Sequence, residues 1–293
     1  TEETSDGGAY EIIDPLNVSE HTVVDRTAGI IYDNNGAVAT KVVKRTGMAE
    51  MAWEGLTVLE SGVVIGGDEL RPGTGTEDAD GGAIFKFVPD TIRTTDTLIT
   101  DLSQSPLVTG SNFAMQVQCK DGTSQWGQGC EVGNARWIAV NAATARADAD
   151  ANGATGYYRP EDLHKDPTYT GEGVRFCWTN TGNESSEHYG EIMCAVDTDP
   201  INAINDGKTT IVNRFVEGNP DFTSVDSLEI HPVTGDIYGI EDHKNGDVWA
   251  CLKDGADKDI KTDGCVRLLA VKDQSAEPTG FIFSPDGSKA YLS

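Results

Sequence analysis

Carboxylates are the most abundant ionisable side chains of this sequence, 48 Asp and Glu against 22 Lys and Arg. Four short segments set them where they could do chemistry. Glu2-Glu3 opens the sequence, and Trp53-Glu54-Gly55 places one acid in a nearly uncharged stretch. Gly67-Asp68-Glu69 closes an apolar run, and Arg159-Pro160-Glu161-Asp162 follows the glycine-containing segment 152–158. Asp and Glu are hard oxygen ligands suited to calcium, manganese or ferric iron, and several together can hold a multinuclear cluster without histidine. Only five His are present, none in a His-Glu-x-x-His arrangement, which argues against a His-rich zinc site. There is no Gly-x-Ser-x-Gly elbow and no glycine-rich phosphate loop. A hydrolase built from this sequence therefore relies on metal and carboxylate chemistry, the metal polarising a substrate oxygen and holding a deprotonated nucleophile. An arginine such as Arg159 would neutralise the charge that develops in the transition state. The same Arg159-Pro160-Glu161 run also reads as a local ion pair at a strand entrance.

The elements that must carry these residues read as short antiparallel strands. A turn glycine recurs ahead of an apolar strand that ends in acidic or polar residues: Gly62 before Asp68-Glu69, Gly173 before Asn180, Gly235 before Glu241-Asp242, and Gly287 near the C-terminal end. A second strand follows another glycine, as at Gly8, Gly82, Gly190 and Gly246. Apolar and polar residues alternate in most of these, the pattern of half-buried antiparallel strands. The later turn glycines recur at the roughly 50 to 60 residues of a four-stranded propeller blade. The gap from Gly62 to Gly173 reads as two such units plus an insertion. Residues 141–154, rich in Ala and Asp, read as a helical turn or a loop, and 70–80 and 120–135 as exposed loops. In a propeller, acidic ends of equivalent strands converge on one mouth of the channel, although a single acidic strand end is equally a solvated cap.

The formal charge of −26 repels phosphate backbones, so nucleic acid is not an expected partner. No apolar run approaches the roughly 20 residues of a membrane span. The six cysteines fall in local pairs, Cys119 with Cys130, Cys177 with Cys194, and Cys251 with Cys265. Six cysteines permit fifteen connectivities, and short loops close most easily, which favours the local pairing. Disulfides imply an oxidising compartment, hence a secreted or periplasmic protein; the opposite reading is buried free thiols in the cytosol.

Taken in order, these motifs resemble the PhoX-type alkaline phosphatases. That family has a Cys-Glu-Glu segment and then Gly-x-x-x-Glu-Ile-Asp-Pro; here Thr1-Glu2-Glu3 is followed by Gly8-Ala9-Tyr10-Glu11-Ile12-Ile13-Asp14-Pro15. Its Gly-x-x-x-His-Glu-Gly segment resembles 47–55, and its Gly-Asp-Asp/Glu strand end resembles Gly67-Asp68-Glu69. Gly153-Ala154-Thr155, Arg159-Pro160-Glu161, Asp226-Ser227-Leu228 and the segment 279–287 follow in family order. Strand pattern, cysteine pairs and resemblance together point to an all-β fold, a β-propeller with disulfide-tied loops whose six blades the resemblance implies, as one domain over 1–293 expected to be cut short at both ends. It implies metal ligands at Glu3, Glu54, Asp68, Glu69 and Glu161, phosphate contact by Arg159, and catalysis through Arg159 and Glu161. Three departures stand out: Thr1 replaces the family's cysteine, Trp53 replaces its histidine, and the chain ends at Ser293 where the family continues.

The function expected on this basis is an extracytoplasmic, calcium- and iron-dependent phosphomonoesterase acting on a small phosphoester, with self-association open. The missing thiolate and histidine favour an alternative: a non-catalytic extracellular propeller that keeps calcium for stability and serves as a binding or assembly subunit. A calcium-only propeller hydrolase of the lactonase or phytase kind is a third reading.

Overall fold

The computed structural model describes all residues except 18–22, 26–28, 74–79, 120–124, 128, 254–263 and 274. Its strands, in chain order, are β1 (Tyr10–Ile12), β2 (Val23–Asp25), β3 (Ile30–Tyr32), β4 (Val42–Lys44), β5 (Trp53–Val58), β6 (Val64–Asp68), β7 (Ile84–Pro89), β8 (Gly110–Val117) and β9 (Gly133–Val140). A helix, α1 (Ala145–Ala151), precedes β10 (Pro160–Lys165), β11 (Val174–Asn180), β12 (Glu191–Asp197) and β13 (Gly207–Glu217). Then come β14 (Val225–Ile230), β15 (Ile237–Glu241), β16 (Asp247–Cys251), β17 (Val266–Ala270), β18 (Phe281–Phe283) and β19 (Ala290–Leu292).

These strands form a β-propeller. The first blade is the meander β5 to β9, the second β10 to β13 and the third β14 to β17, with β18–β19 starting another. The first and second blades also join at their outer strands, where β9 pairs with β13, giving one nine-stranded sheet. The innermost strands β5, β10, β14 and β18 form a row. A Cβ on Gly55 of β5 would lie 2.1 Å from Leu163 N of β10, so only glycine lets the two strands approach this closely. Asp162 of β10 accepts the Leu228 N–H of β14 at 3.0 Å, and Ser227 of β14 donates to Thr279 O just ahead of β18.

The recurring glycines mark blades as expected. Gly62, Gly173, Gly235 and Gly287 each turn the first strand of a blade into the second, all with positive φ of 70° to 88°. The wide gap between Gly62 and Gly173 is not two blades. It is one blade enlarged by β9 and α1, so helix forms within 141–154. Of the expected loops, 74–79, 120–124 and 128 lie outside the described residues, and the end of 120–135 is strand β9.

Alternation is also hidden in the central strands, because both faces of a blade are buried. Adjacent residues enter different cores: Ile65, Ile84 and Phe113 pack between the first and second blades with Phe176 and Trp178. Val64, Phe85 and Ala114 pack on the opposite face with Ala9, Met48 and Met51. A third core, with Cys177, Ile192, Phe222 and Leu228, joins the second and third blades. Sheet-on-sheet packing of this kind turns alternation into continuous apolar runs. The three local disulfides are all formed, and Cys177–Cys194 links directly opposed residues of β11 and β12.

Candidate metal centre

The site lies at the rim where the inner strands begin. Glu54, Glu161 and Asp226 are each the second residue of an inner strand, β5, β10 and β14. At each of them the ladder to the next strand loses register: between Trp53 and Leu56, between Pro160 and Leu163, and between Val225 and Ser227. A bulge bends the strand and re-aims its side chain. Three blades thus use one device to turn a carboxylate inward.

The second strands of the blades end at the same rim, and their acidic ends divide the work. Glu69, just after β6, reaches the site, as does Asp242, just after β15. Their neighbours brace each blade from within. Asp68 is fully buried and accepts Ala52 N–H at 2.9 Å and Arg146 Nε–H at 2.8 Å, with a further bond from Arg146 Nη2. Glu241 accepts from Thr223 N, Asp247 N and Trp249 Nε1. Asn180, at the equivalent end of β11, accepts from Trp178 Nε1 and donates to Glu191.

Glu3 arrives on an N-terminal hook. Trp53 N–H donates to Glu2 O, Met51 N–H to Gly7 O, and the Glu2 carboxylate accepts from Gly8 N at 3.0 Å. The hook sets Glu3 beside Glu54 and Glu69, so that one carboxylate oxygen from each lies within 4.8 Å of the others. Among the described residues this is the one grouping of metal-capable side chains that meets that spacing.

Arg159 closes the site. Its backbone is left-handed, at φ +60°, a conformation that costs a non-glycine residue of order 1–3 kcal/mol and that the surrounding structure must hold in place. It donates Nε–H to Glu69 at 2.9 Å, and its Nη2 stands 2.6 Å from Glu161 Oε1 and 3.9 Å from Asp242. The approach to Glu161 is off the hydrogen-bonding direction, and Oε1 is buried with no donor.

One guanidinium does not neutralise this many acids. Burial, then Asp226, pushes Glu161 up to about 9, against the pull of Arg159. Burial, then Glu3 and Asp226, pushes Glu54 to about 8, and burial with Asp242 pushes Asp226 to about 7. Glu3 is raised as well, by burial and by its hydrogen bond to Glu69. Crowded carboxylates whose charged forms are disfavoured, with a buried oxygen lacking a donor, suit a hard cation.

Of the residues expected from the sequence, the structure brings together Glu3, Glu54, Glu69, Glu161 and Arg159. Asp68 does not join them, since its oxygens are engaged by Ala52 and Arg146. Asp226, noted in the sequence as part of a family motif but given no site role, joins them: it repeats the place of Glu54 and Glu161 in the next blade. Trp53, where a histidine was expected by resemblance, is buried and donates its indole N–H to Ala49 O at 2.9 Å.

The family model for alkaline phosphatase PhoX matches residues 39–293, which include every one of these site residues except Glu3. No curated protein matches the chain. Among solved structures, Pseudomonas fluorescens PhoX in complex with vanadate, a transition-state analogue, is 19% identical with a TM-score of 0.60, over 90% of this chain and 52% of that one. An auxiliary nutrient binding protein from Bacteroides thetaiotaomicron is 14% identical with a TM-score of 0.31, over 74% of this chain and 51% of that one. The chain thus spans about half the length of each. The first of these shares the fold; the second is too distant to inform it. With a family match running through all three blades and most of the sequence, the chain belongs to the PhoX alkaline phosphatase family.

Proposed function

We propose that this chain carries the metal- and phosphate-binding face of an extracytoplasmic phosphomonoesterase. The observation that carries the reading is the convergence of Glu3, Glu54, Glu69 and Glu161 on Arg159 from four separate segments of the chain. Membership of the PhoX family and the shared fold with a vanadate-bound phosphatase support it. The continuous row of inner strands supports one propeller domain over 1–293, and the three disulfides support an oxidising compartment.

Glu3, Glu54, Glu69 and Glu161 would hold calcium, with iron as a second candidate, and such ions supply Lewis-acid polarisation of a phosphoryl oxygen. The protein's own contribution is positional. Arg159, held by Glu69 and by its left-handed backbone, presents a planar guanidinium suited to two oxygens of a phosphate. Glu161 keeps that guanidinium over the acids, and Asp226 and Asp242 add negative charge that favours cation occupancy.

Elemental analysis of the purified protein, with hydrolysis of p-nitrophenyl phosphate and Glu161→Gln as control, tests the reading. Bound calcium or iron, with turnover lost in Glu161→Gln, is the expected result. A protein that binds neither metal and hydrolyses no phosphomonoester overturns it. The second reading, a calcium-stabilised propeller without catalysis, is favoured by Trp53, whose buried indole offers no metal ligand. Calcium bound without turnover would establish it.

A further inference from the structure

Between the rims of the first and second blades lies a cavity of about 660 Å³. Its lining draws on other strand ends at the same rim: Asn180 closes β11, Glu191 opens β12, and Glu217 ends β13. None of the metal-centre side chains lines it, but their chain and ladder neighbours do. Tyr158 in its wall directly precedes Arg159, and Asn180 pairs across the ladder with Pro160, which separates Arg159 from Glu161. A phosphoryl group at Arg159 would therefore have the rest of its ester beside this opening.

The lining combines aromatic rings with negative charge. Tyr158 and His188 stand with ring centroids 5.4 Å apart, and Tyr189 lies in the same wall. Five carboxylates line the cavity, from Asp80 on the first-blade side to Glu187 and Glu217 on the second, against a single arginine, Arg214. The charge of Arg214 is offset within the lining itself. It is ion-paired to Glu131 and to Glu191, and its Nη1 lies 3.9 Å from Glu217. Asn180, which could donate to a ligand, gives its amide to Glu191 at 2.8 Å. A second phosphate or a carboxylate would meet uncompensated like charge here. A cationic group would meet carboxylates and aromatic side chains, the combination that recognises ammonium ions.

We propose that this cavity receives the alcohol moiety of the substrate and selects alcohols that carry a positive charge, so that the preferred substrates are phosphomonoesters of amino alcohols. The proposal rests on the phosphomonoesterase reading for its substrate, but the cavity can be tested without turnover.

Phosphocholine and 3,3-dimethylbutyl phosphate differ in charge and hardly in shape. At low ionic strength kcat/KM should favour phosphocholine by about tenfold, and the ratio should shrink as salt is added. Glu217→Gln should move the ratio toward one. Equal kcat/KM values, or a preference for the neutral ester, overturn the proposal. Choline itself, followed by saturation-transfer NMR beside 3,3-dimethylbutanol, separates the two failures. If no ester is hydrolysed yet choline binds selectively and loses that selectivity in Glu217→Gln, the phosphatase reading falls and the cation-selective cavity stands. If choline and its neutral isostere behave alike, the cavity proposal falls whatever the enzyme does.

Discussion

Arg159 Nη2 stands 2.6 Å from Glu161 Oε1, two residues along the same chain, and Glu161 still lacks a hydrogen-bond donor there. Proximity without alignment follows from the two backbones. Arg159 is left-handed at φ +60°, and Glu161 sits in a β-bulge. The arrangement keeps one charge near the acids without saturating them, as the proposed cation site requires.

The first prediction concerns pH. Glu54, Glu161 and Asp226 have folded-state values of about 8, 9 and 7, well above the carboxylate values of an unfolded chain near 4. Between those limits the folded protein binds more protons than the unfolded one, so stability falls as pH rises. Metal-free protein should be most stable below about pH 4 with respect to these groups, and should lose stability up to about pH 9. Calcium should flatten the alkaline loss. Thermal melts from pH 5 to 9, with chelator or with calcium, read both trends; a chelated protein that gains stability toward pH 9 contradicts the assignment.

The adjacent acids Asp68 and Glu69 should behave oppositely. Glu69→Gln removes a carboxylate from the cluster and should weaken calcium binding by tenfold or more, about 1.4 kcal/mol, with little change in the metal-free melt. Asp68→Asn removes the buried carboxylate charge that Arg146 grips through two nitrogens, which should cost about 3–5 kcal/mol of stability. Calcium titration and urea unfolding of the two variants distinguish a site residue from a structural one.

Gly55→Ala should separate the first two blades. The added methyl would lie 2.1 Å from Leu163 N and 2.4 Å from Asp162 Cα, both backbone atoms that cannot step aside. We expect a loss of several kcal/mol, with weakened calcium binding because Glu54 is the preceding residue. Gly47→Ala, whose nearest neighbour is Val108 O at 3.6 Å, is the matched control and should cost about 1 kcal/mol or less. Equal melting temperatures for the two variants would contradict the close approach of β5 and β10.

A buried clasp joins the first two blades independently of the metal. Lys86 Nζ lies 3.0 Å from Asp197 Oδ2, both side chains fully buried, and Trp137 Nε1 donates to the same oxygen at 3.0 Å. Lys86→Met alone strands the carboxylate and should cost about 3–5 kcal/mol; adding Asp197→Asn should recover much of it. Denaturant unfolding of the single and double variants measures the coupling.

The sequence by itself determined the blade repeat, because each turn at Gly62, Gly173, Gly235 and Gly287 needs a left-handed backbone that glycine adopts without strain. It favoured the local disulfide pairing through short loop closure, and it exposed Glu54, Glu69 and Arg159-Pro160-Glu161 as chemistry-bearing motifs in family order. Three things only the tertiary structure decided. Asp68 and Glu69 are equivalent in sequence, but successive strand residues point to opposite faces, and which face meets Arg146 depends on α1 packing under the first blade. Asp226 gains its place from the row of inner strands, which brings residues more than sixty positions apart to one rim. Glu3 reaches Glu54 only through backbone hydrogen bonds from Trp53 and Met51, groups whose partners no local pattern specifies. Local chemistry is written in short segments, whereas a site gathered from several blades exists only once packing has set their order and register.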